Sequence, residues 1–120
     1  MIGDTPGWVE PLCRIAQQWR TSGLSIREHF EAVQPNLGDG TRAVGMIRQQ
    51  LSQAPDLIEA WQQYSWDKRT TPGHYLDGLE VGFFTTDGLR EDVQLHDEPA
   101  DACADFVYRE AVWVLDRHRA

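Results

Sequence analysis

The spacing of apolar residues changes twice along this chain, from helical to alternating and back to helical. Residues 79–84, L-E-V-G-F-F, alternate between two turn signals, Asp77-Gly78 and Asp87-Gly88, as in a strand bounded by hairpin turns. Residues 74–76 can add a strand through the first of these turns. The flanking stretches repeat apolar residues at helical spacing. The pattern predicts a single α+β domain spanning all 120 residues, with about five helices and a two- or three-stranded antiparallel meander near residues 74–96.

The first two helices are marked by the residues at their ends. The first is predicted from Val9 to about Thr21, with Gly23 as its terminator. Ser25 and Glu28 form the S-x-x-E pattern of a capping box, which opens a short second helix. These signals predict an N-terminal helical pair joined by a tight connection.

Three further helices complete the pattern. The third is predicted over residues 41–52, and the fourth begins at Pro55, because proline suits the first turn of a helix. The Pro72-Gly73 pair is a turn signal that the fourth helix cannot cross. The last helix, over residues 99–117, has a broad apolar face, and we expect it to cover the meander.

A three-residue loop fits the turn between the second and third strands best. In the loop of residues 86–88, T-D-G, the glycine takes the left-handed position of a type I turn with a bulge. This register pairs Val81 with Val93 and Leu79 with Leu95, so that apolar side chains meet across the hairpin. A two-residue loop would place an apolar side chain opposite a carboxylate, so we expect the longer loop.

The chain is acidic, and the imbalance is concentrated in its second half. The formal net charge is −8, and residues 61–120 hold six Lys or Arg and twelve Asp or Glu, a net of −6. Such a surface repels phosphate backbones and anionic membranes and attracts basic proteins. We therefore expect a protein partner, with no nucleic acid and no membrane.

The two cysteines and the N-terminal residues bear on the compartment. Cys13 and Cys103 lie among apolar residues in predicted helices and form no C-x-x-C pair, so we expect buried, reduced thiols. The N-terminal stretch M-I-G-D-T-P-G-W lacks the basic and apolar regions of a signal peptide. No apolar run approaches the roughly 18 residues of a membrane span. These features favour a cytoplasmic protein.

Two adjacent cations, Lys68 and Arg69, stand among aromatic residues in a chain that is otherwise acidic. One interpretation is structural, since cations at the end of a helix complement its negative pole. A second is a protein-binding hot spot, because Trp, Tyr and Arg dominate such sites. A third is an anion pocket at Arg69, although no phosphate-loop spacing is present. The aromatic candidates for the partner-binding site are Tyr64, Trp66 and Tyr75.

Seven carboxylates and a single cation occupy residues 87–105. Those at the start of the last helix are favoured by the helix dipole, and a charge run is in general a solvated face. The alternative is a docking surface for a basic partner, which charge complementarity would steer and select. The acidic candidates for that surface are Glu91, Asp92, Asp97, Glu98 and Asp101.

No sequence motif indicates catalysis. The run His96-Asp97-Glu98 with Asp101 has neither EF-hand nor H-E-x-x-H spacing. No serine or cysteine stands in a nucleophile motif. We therefore expect no enzyme, no catalytic residue, no cofactor and no metal. The remaining enzymatic alternative is a carboxylate and histidine site at Asp92, His96 and Asp101.

Several stretches between Trp61 and Val114 resemble small immunity proteins of bacterial polymorphic-toxin systems. They are W-Q-Q-Y-S-W-D-K-R, P-G-H-Y-L, E-V-G-F-F and A-C-A-D-F-V-Y-R-E-A. The resemblance implies a compact, acidic, cytosolic protein that binds a cognate toxin domain and blocks it. The alternative is a small cytosolic interaction domain, or a homodimeric structural protein that associates through the edge of the meander.

Overall fold

The computed structural model describes residues 5–68 and 72–116, which form five α-helices and a three-stranded antiparallel sheet of order β1-β2-β3. The elements are α1 (Val9–Ser22), α2 (Ile26–Val33), α3 (Gly40–Ser52), α4 (Pro55–Lys68), β1 (Gly73–Asp77), β2 (Glu80–Phe84), β3 (Arg90–Leu95) and α5 (Pro99–Asp116). The α+β class and the three-stranded meander predicted from the sequence are therefore confirmed.

The helix ends follow the local chemistry of the sequence. Gly23 ends α1 with a left-handed φ of 78°. Ser25 and Glu28 form both bonds of the capping box, and these bonds hold the pKa of the Glu28 carboxyl below its usual value. α3 begins one residue earlier than predicted, because the Asp39 side chain accepts a hydrogen bond from the Arg42 amide and caps the helix there.

Trp61 stands at the centre of the hydrophobic core. Its ring is fully buried between Phe30 and Phe106, at centroid distances of 6.4 and 6.1 Å. The indole Nε1 donates a 2.9 Å hydrogen bond to the carbonyl of Cys13. Because a buried indole N–H needs an acceptor, this bond fixes α4 against α1.

Helix α5 covers the inner face of the sheet. Trp113 packs edge-on against His74 and Phe83, at centroid distances of 5.9 and 5.1 Å. Leu76 of β1 and Val81 of β2 lie opposite each other and are buried in the same core. The predicted role of the last helix as the cover of the meander is confirmed for β1 and β2.

The loop between β2 and β3 has the predicted form. The Thr85 amide donates to the Leu89 carbonyl, and the Gly88 amide donates to the Thr85 carbonyl, which encloses three loop residues. Gly88 has a left-handed φ of 81°. Next to this loop the predicted register holds, with Phe83 opposite Glu91.

Farther from the loop the predicted register is wrong. Val81 lies opposite Gln94 instead of Val93, and Glu80 is the residue opposite Leu95. The cause is a β-bulge between the two parts of the ladder, where Asp92 has a left-handed φ of 52°. All six side chains of β3 are exposed.

Both cysteines are buried and free, as expected. Burial raises the pKa of the Cys13 thiol to about 12 and the pKa of the Cys103 thiol well above its usual value. None of the helices in the described ranges combines the length and the apolar character that crossing a membrane requires.

Candidate functional site

Two of the candidate partner-binding residues, Tyr64 and Lys68, point into the protein and meet at Glu110. The Tyr64 hydroxyl donates to the Glu110 carboxylate, and Lys68 Nζ lies 3.4 Å from the same group. The side chains of Lys68 and Glu110 are only 8% and 2% exposed. Burial, followed by the nearby carboxylate, raises the pKa of Tyr64. Tyr64 and Lys68 therefore make internal contacts, and a partner could contact only the candidates that are exposed.

The other aromatic candidates lie in different surroundings. Trp66 is 56% exposed on α4. Tyr75 is buried on the outer face of the sheet, the face turned away from α5. Arg69 lies outside the described residues.

Tyr75 belongs to a cluster on the outer sheet face that sequence reasoning missed. Its ring lies 4.6 Å from that of Phe84, and the Arg90 guanidinium stands 5.1 Å from the Tyr75 centroid. Glu80 accepts hydrogen bonds from the Tyr75 hydroxyl and from Arg90 Nη1. Burial and the Glu80 contact raise the pKa of Tyr75 to about 12, and the Tyr75 bond lowers the pKa of Glu80. The alternation of β2 predicts that Glu80, Gly82 and Phe84 share one face, but no sequence pattern set Tyr75 and Arg90 beside them.

The acidic candidates divide into three groups. Glu91 and Asp92 lie on β3, where Asp92 forms the bulge and its carbonyl accepts a 2.9 Å bond from Arg109 Nη1. Asp101 forms an ion pair with Arg48 of α3. The two remaining candidates, Asp97 and Glu98, are exposed immediately before α5.

Asp97 and Glu98 stand at the rim of a surface cavity of about 720 Å³. The cavity, here called the acidic groove, lies between the end of α3, the first half of α4, the β1–β2 turn and the start of α5. Its apolar lining residues are Pro55, Ile58, Leu76, Leu79, Pro99 and Ala100. Glu59 contributes a third carboxylate, and no cationic side chain of the described residues lines the groove.

Gln62 fixes the wall of the groove. Its Nε2 donates a 2.6 Å bond to the Leu76 carbonyl, and its Oε1 accepts a 2.8 Å bond from the Gly78 amide. Ser65, nearly one turn later, accepts a 2.8 Å bond from the Leu76 amide. Trp66 follows Gln62 by four residues, so it continues the same stripe of α4 one turn beyond the groove. Its indole is exposed there and is not among the residues that line the groove.

His96 bonds to a residue outside the enzymatic alternative. His96 Nε2 lies 2.9 Å from Asp105, whereas Asp101 pairs with Arg48. Burial, followed by the charges of Arg109 and Lys68, lowers the pKa of His74 to about 4. Within residues 5–68 and 72–116, no group of three His, Cys, Asp or Glu side chains is arranged to hold a metal ion.

The acidic groove is an arrangement suited to binding. Its apolar floor can take up an apolar side chain, and its three carboxylates can pair with cations beside that side chain. No protein-family model, curated protein or solved structure matches this chain.

Proposed function

We propose that this protein is a non-enzymatic inhibitor of the immunity-protein type, which binds a basic toxin domain in the bacterial cytoplasm and blocks it. The acidic groove is the observation that supports this proposal most directly. It joins an apolar floor to Glu59, Asp97 and Glu98, with no lining cation among the described residues. Such a surface selects a partner that presents an apolar anchor surrounded by Lys or Arg.

The charge of the chain favours fast association with such a partner. A net charge of −8 gives a long-range attraction for a basic domain and repels acidic competitors. An inhibitor that protects its own cell has to meet the toxin before the toxin meets its target. Electrostatic steering increases the association rate, so it suits this role.

Trp66 is a residue that could contribute strongly to the affinity for a partner. Tryptophan is among the residues that contribute most to protein interfaces, and this one is exposed on the stripe of α4 that lines the groove. The buried pair of Tyr64 and Lys68 then has a supporting role, because it anchors the helix that presents Trp66.

The test is binding and neutralisation of the toxin domain encoded by the adjacent open reading frame. We expect a stable complex by calorimetry and survival of cells that express both proteins. The double variant Asp97→Asn/Glu98→Gln should weaken the complex about tenfold or more, since each removed charge faces a cation of the partner. The matched control, Glu10→Gln/Glu31→Gln, changes net charge equally on α1 and α2, which do not line the groove.

Two outcomes would overturn the proposal. Absence of both a complex and protection would remove the toxin as the partner. Equal weakening by the groove variant and its control would show that only net charge matters. A complex with basic proteins in general, without protection, would favour the alternative of a cytosolic interaction domain unrelated to toxins.

A further inference from the structure

The two edges of the sheet differ in whether another element covers them. At the β1 edge, the amide and carbonyl of Leu76 are bonded to Ser65 and Gln62 of α4. An exposed strand edge invites pairing with another chain, and covering it with a helix prevents this. Within the described ranges, β3 pairs only with β2 and packs along no helix, apart from the bond that Arg109 of α5 donates to Asp92.

The hydrogen bonds at the two ends of β3 show which backbone groups face this open edge. The Leu89 carbonyl accepts a hydrogen bond from the Thr85 amide, and the His96 amide donates one to the Leu79 carbonyl. Leu79 and Thr85 flank β2, so these two groups of β3's neighbours face β2. Because backbone groups alternate in direction along a strand, those of Arg90 and Leu95 point away from β2. Gln94 Nε2 donates a 3.3 Å bond to the Leu95 carbonyl, an exposed contact that an incoming amide can replace.

Two side chains along this edge are aliphatic and exposed. Val93 is 47% exposed and Leu95 is 69% exposed. The bulge places both there, because the register without it would have set Val93 opposite Val81. Arg109 holds the Asp92 carbonyl of the bulge, so the stretch Val93–Leu95 is the part of the edge that remains open.

This open stretch leads directly to the acidic groove. The His96 amide bonds to the carbonyl of Leu79, which lines the groove, and Asp97 follows His96 at its rim. The edge is flanked by Glu91 and Asp92 on one side and by Asp97 and Glu98 on the other. An occupant of the edge therefore meets carboxylates at both ends, together with the Arg109 guanidinium at the bulge.

We propose that an extended, basic segment of a partner protein pairs with Val93–Leu95 and adds a fourth strand to the sheet. This proposal rests on the proposed function for the basic character of the partner, and it adds the way in which that partner binds. Main-chain hydrogen bonds supply affinity in strand addition, and the flanking side chains supply specificity. A second copy of this chain fits the edge less well, because it would bring a net charge of −8 and the same carboxylates against it.

The probe for this proposal is a short blocked peptide that alternates lysine and valine. Its control replaces each valine by proline, which keeps the charge and removes the capacity to form a ladder. With isotope-labelled protein, the lysine–valine peptide should shift the amide resonances of Val93 and Leu95 and slow exchange of the Leu95 amide. Equal shifts with the proline control would reduce the effect to charge attraction and overturn strand addition.

Variants at Leu95 separate backbone pairing from side-chain contact. Leu95→Pro removes an outward amide, whereas Leu95→Ala removes only the side chain. We expect Leu95→Pro to weaken peptide binding about tenfold and Leu95→Ala to weaken it less, because the lost backbone bond is the larger effect. If Leu95→Pro does not fold, a lysine–valine peptide methylated at alternate amides gives the same test on the unaltered chain. Unchanged binding of the methylated peptide would contradict the proposal.

The toxin domain distinguishes this inference from the proposed function. If Leu95→Pro and the groove variant each lose toxin binding, the result supports the proposed function and strand addition together. Loss in the groove variant alone leaves the proposed function intact and removes strand addition. A toxin that does not bind even the unaltered protein, combined with a positive peptide result, removes the proposed function and leaves the edge as a strand-docking site. A dimer of the unaltered chain in sedimentation that Leu95→Pro dissociates would assign the edge to a second copy and overturn the proposal.

Discussion

The ring of Tyr75 lies so close to Gly82 on the outer sheet face that a Cβ atom at residue 82 would stand 2.7 Å from the tyrosine Oη. The ring is held there by Phe84 and by the hydrogen bond from its hydroxyl to Glu80. Arg90, which bonds to the same carboxylate, lies over both rings. Gly82 is therefore required by the side chain that covers it.

The first prediction concerns this contact. Gly82→Ala should lower the free energy of unfolding by about 1–3 kcal/mol, because the ring has to move and its contacts with Glu80 and Phe84 are disturbed. The measurement is urea unfolding followed by circular dichroism. Gly45→Ala is the control, since its Cβ would meet nothing within 4 Å in the middle of α3, and it should stabilise by about 0.5–1 kcal/mol. Equal effects of the two substitutions would contradict this account.

The second prediction compares a buried ion pair with an exposed one. Glu110→Gln should destabilise the protein by about 3 kcal/mol, because it removes the carboxylate that Lys68 and Tyr64 share in the interior. Glu31→Gln breaks the exposed pair with Arg27 and should change stability by less than about 1 kcal/mol. Chemical denaturation of both variants gives the comparison. A small loss for Glu110→Gln would mean that the buried network contributes little.

The third prediction concerns pH. Because burial lowers the pKa of His74 from 6.5 to about 4, the unfolded chain binds the extra proton between these values. Stability should therefore fall as the pH is lowered from 6.5 to about 4, by roughly 1–2 kcal/mol from this residue after allowing for solvent screening. His74→Phe keeps an aromatic ring beside Phe83 and Trp113 and should show a smaller fall. The same slope in both proteins would exclude His74 as its source.

The fourth prediction concerns thiol reactivity. Cys13 and Cys103 are buried, and burial raises the pKa of Cys13 to about 12. A thiol reagent at mildly alkaline pH should leave both residues unmodified in the native protein and modify both in urea, since the thiolate is the reactive form. Trp66→Cys supplies an exposed thiol as a positive control and should react at once. Rapid labelling of the native protein at either cysteine would show that the core opens readily.

The features that the sequence predicted well depend on neighbouring residues. The Ser25–Glu28 capping box, the left-handed Gly23 and the loop closed by Gly88 each arise within a few residues of chain. Local hydrogen bonds and glycine's tolerance of positive φ are properties that a sequence pattern states directly. Element boundaries and the first part of the hairpin register could therefore be predicted.

The features that the sequence did not reveal depend on residues far apart in the chain. The bulge at Asp92 is held by Arg109, and the burial of Lys68 depends on Glu110. The acidic groove takes its walls from α3, α4, the β1–β2 turn and α5, none of which carries a motif for it. The sequence distinguishes Asp97 and Glu98 only by their charge, and the fold joins them to an apolar surface.

The bond from Arg109 to the Asp92 carbonyl has a consequence for the sheet as a whole. Without the bulge, Val93 would lie opposite Val81. The side chains of Val93, Gln94 and Leu95 would then each lie on the opposite face of the sheet from the one they occupy now. The guanidinium of Arg109 on α5 bonds to the residue at which the observed register departs from the straight one. Arg109→Ala removes this bond and should therefore weaken the bulge and favour the straight pairing, in which Val93 lies opposite Val81.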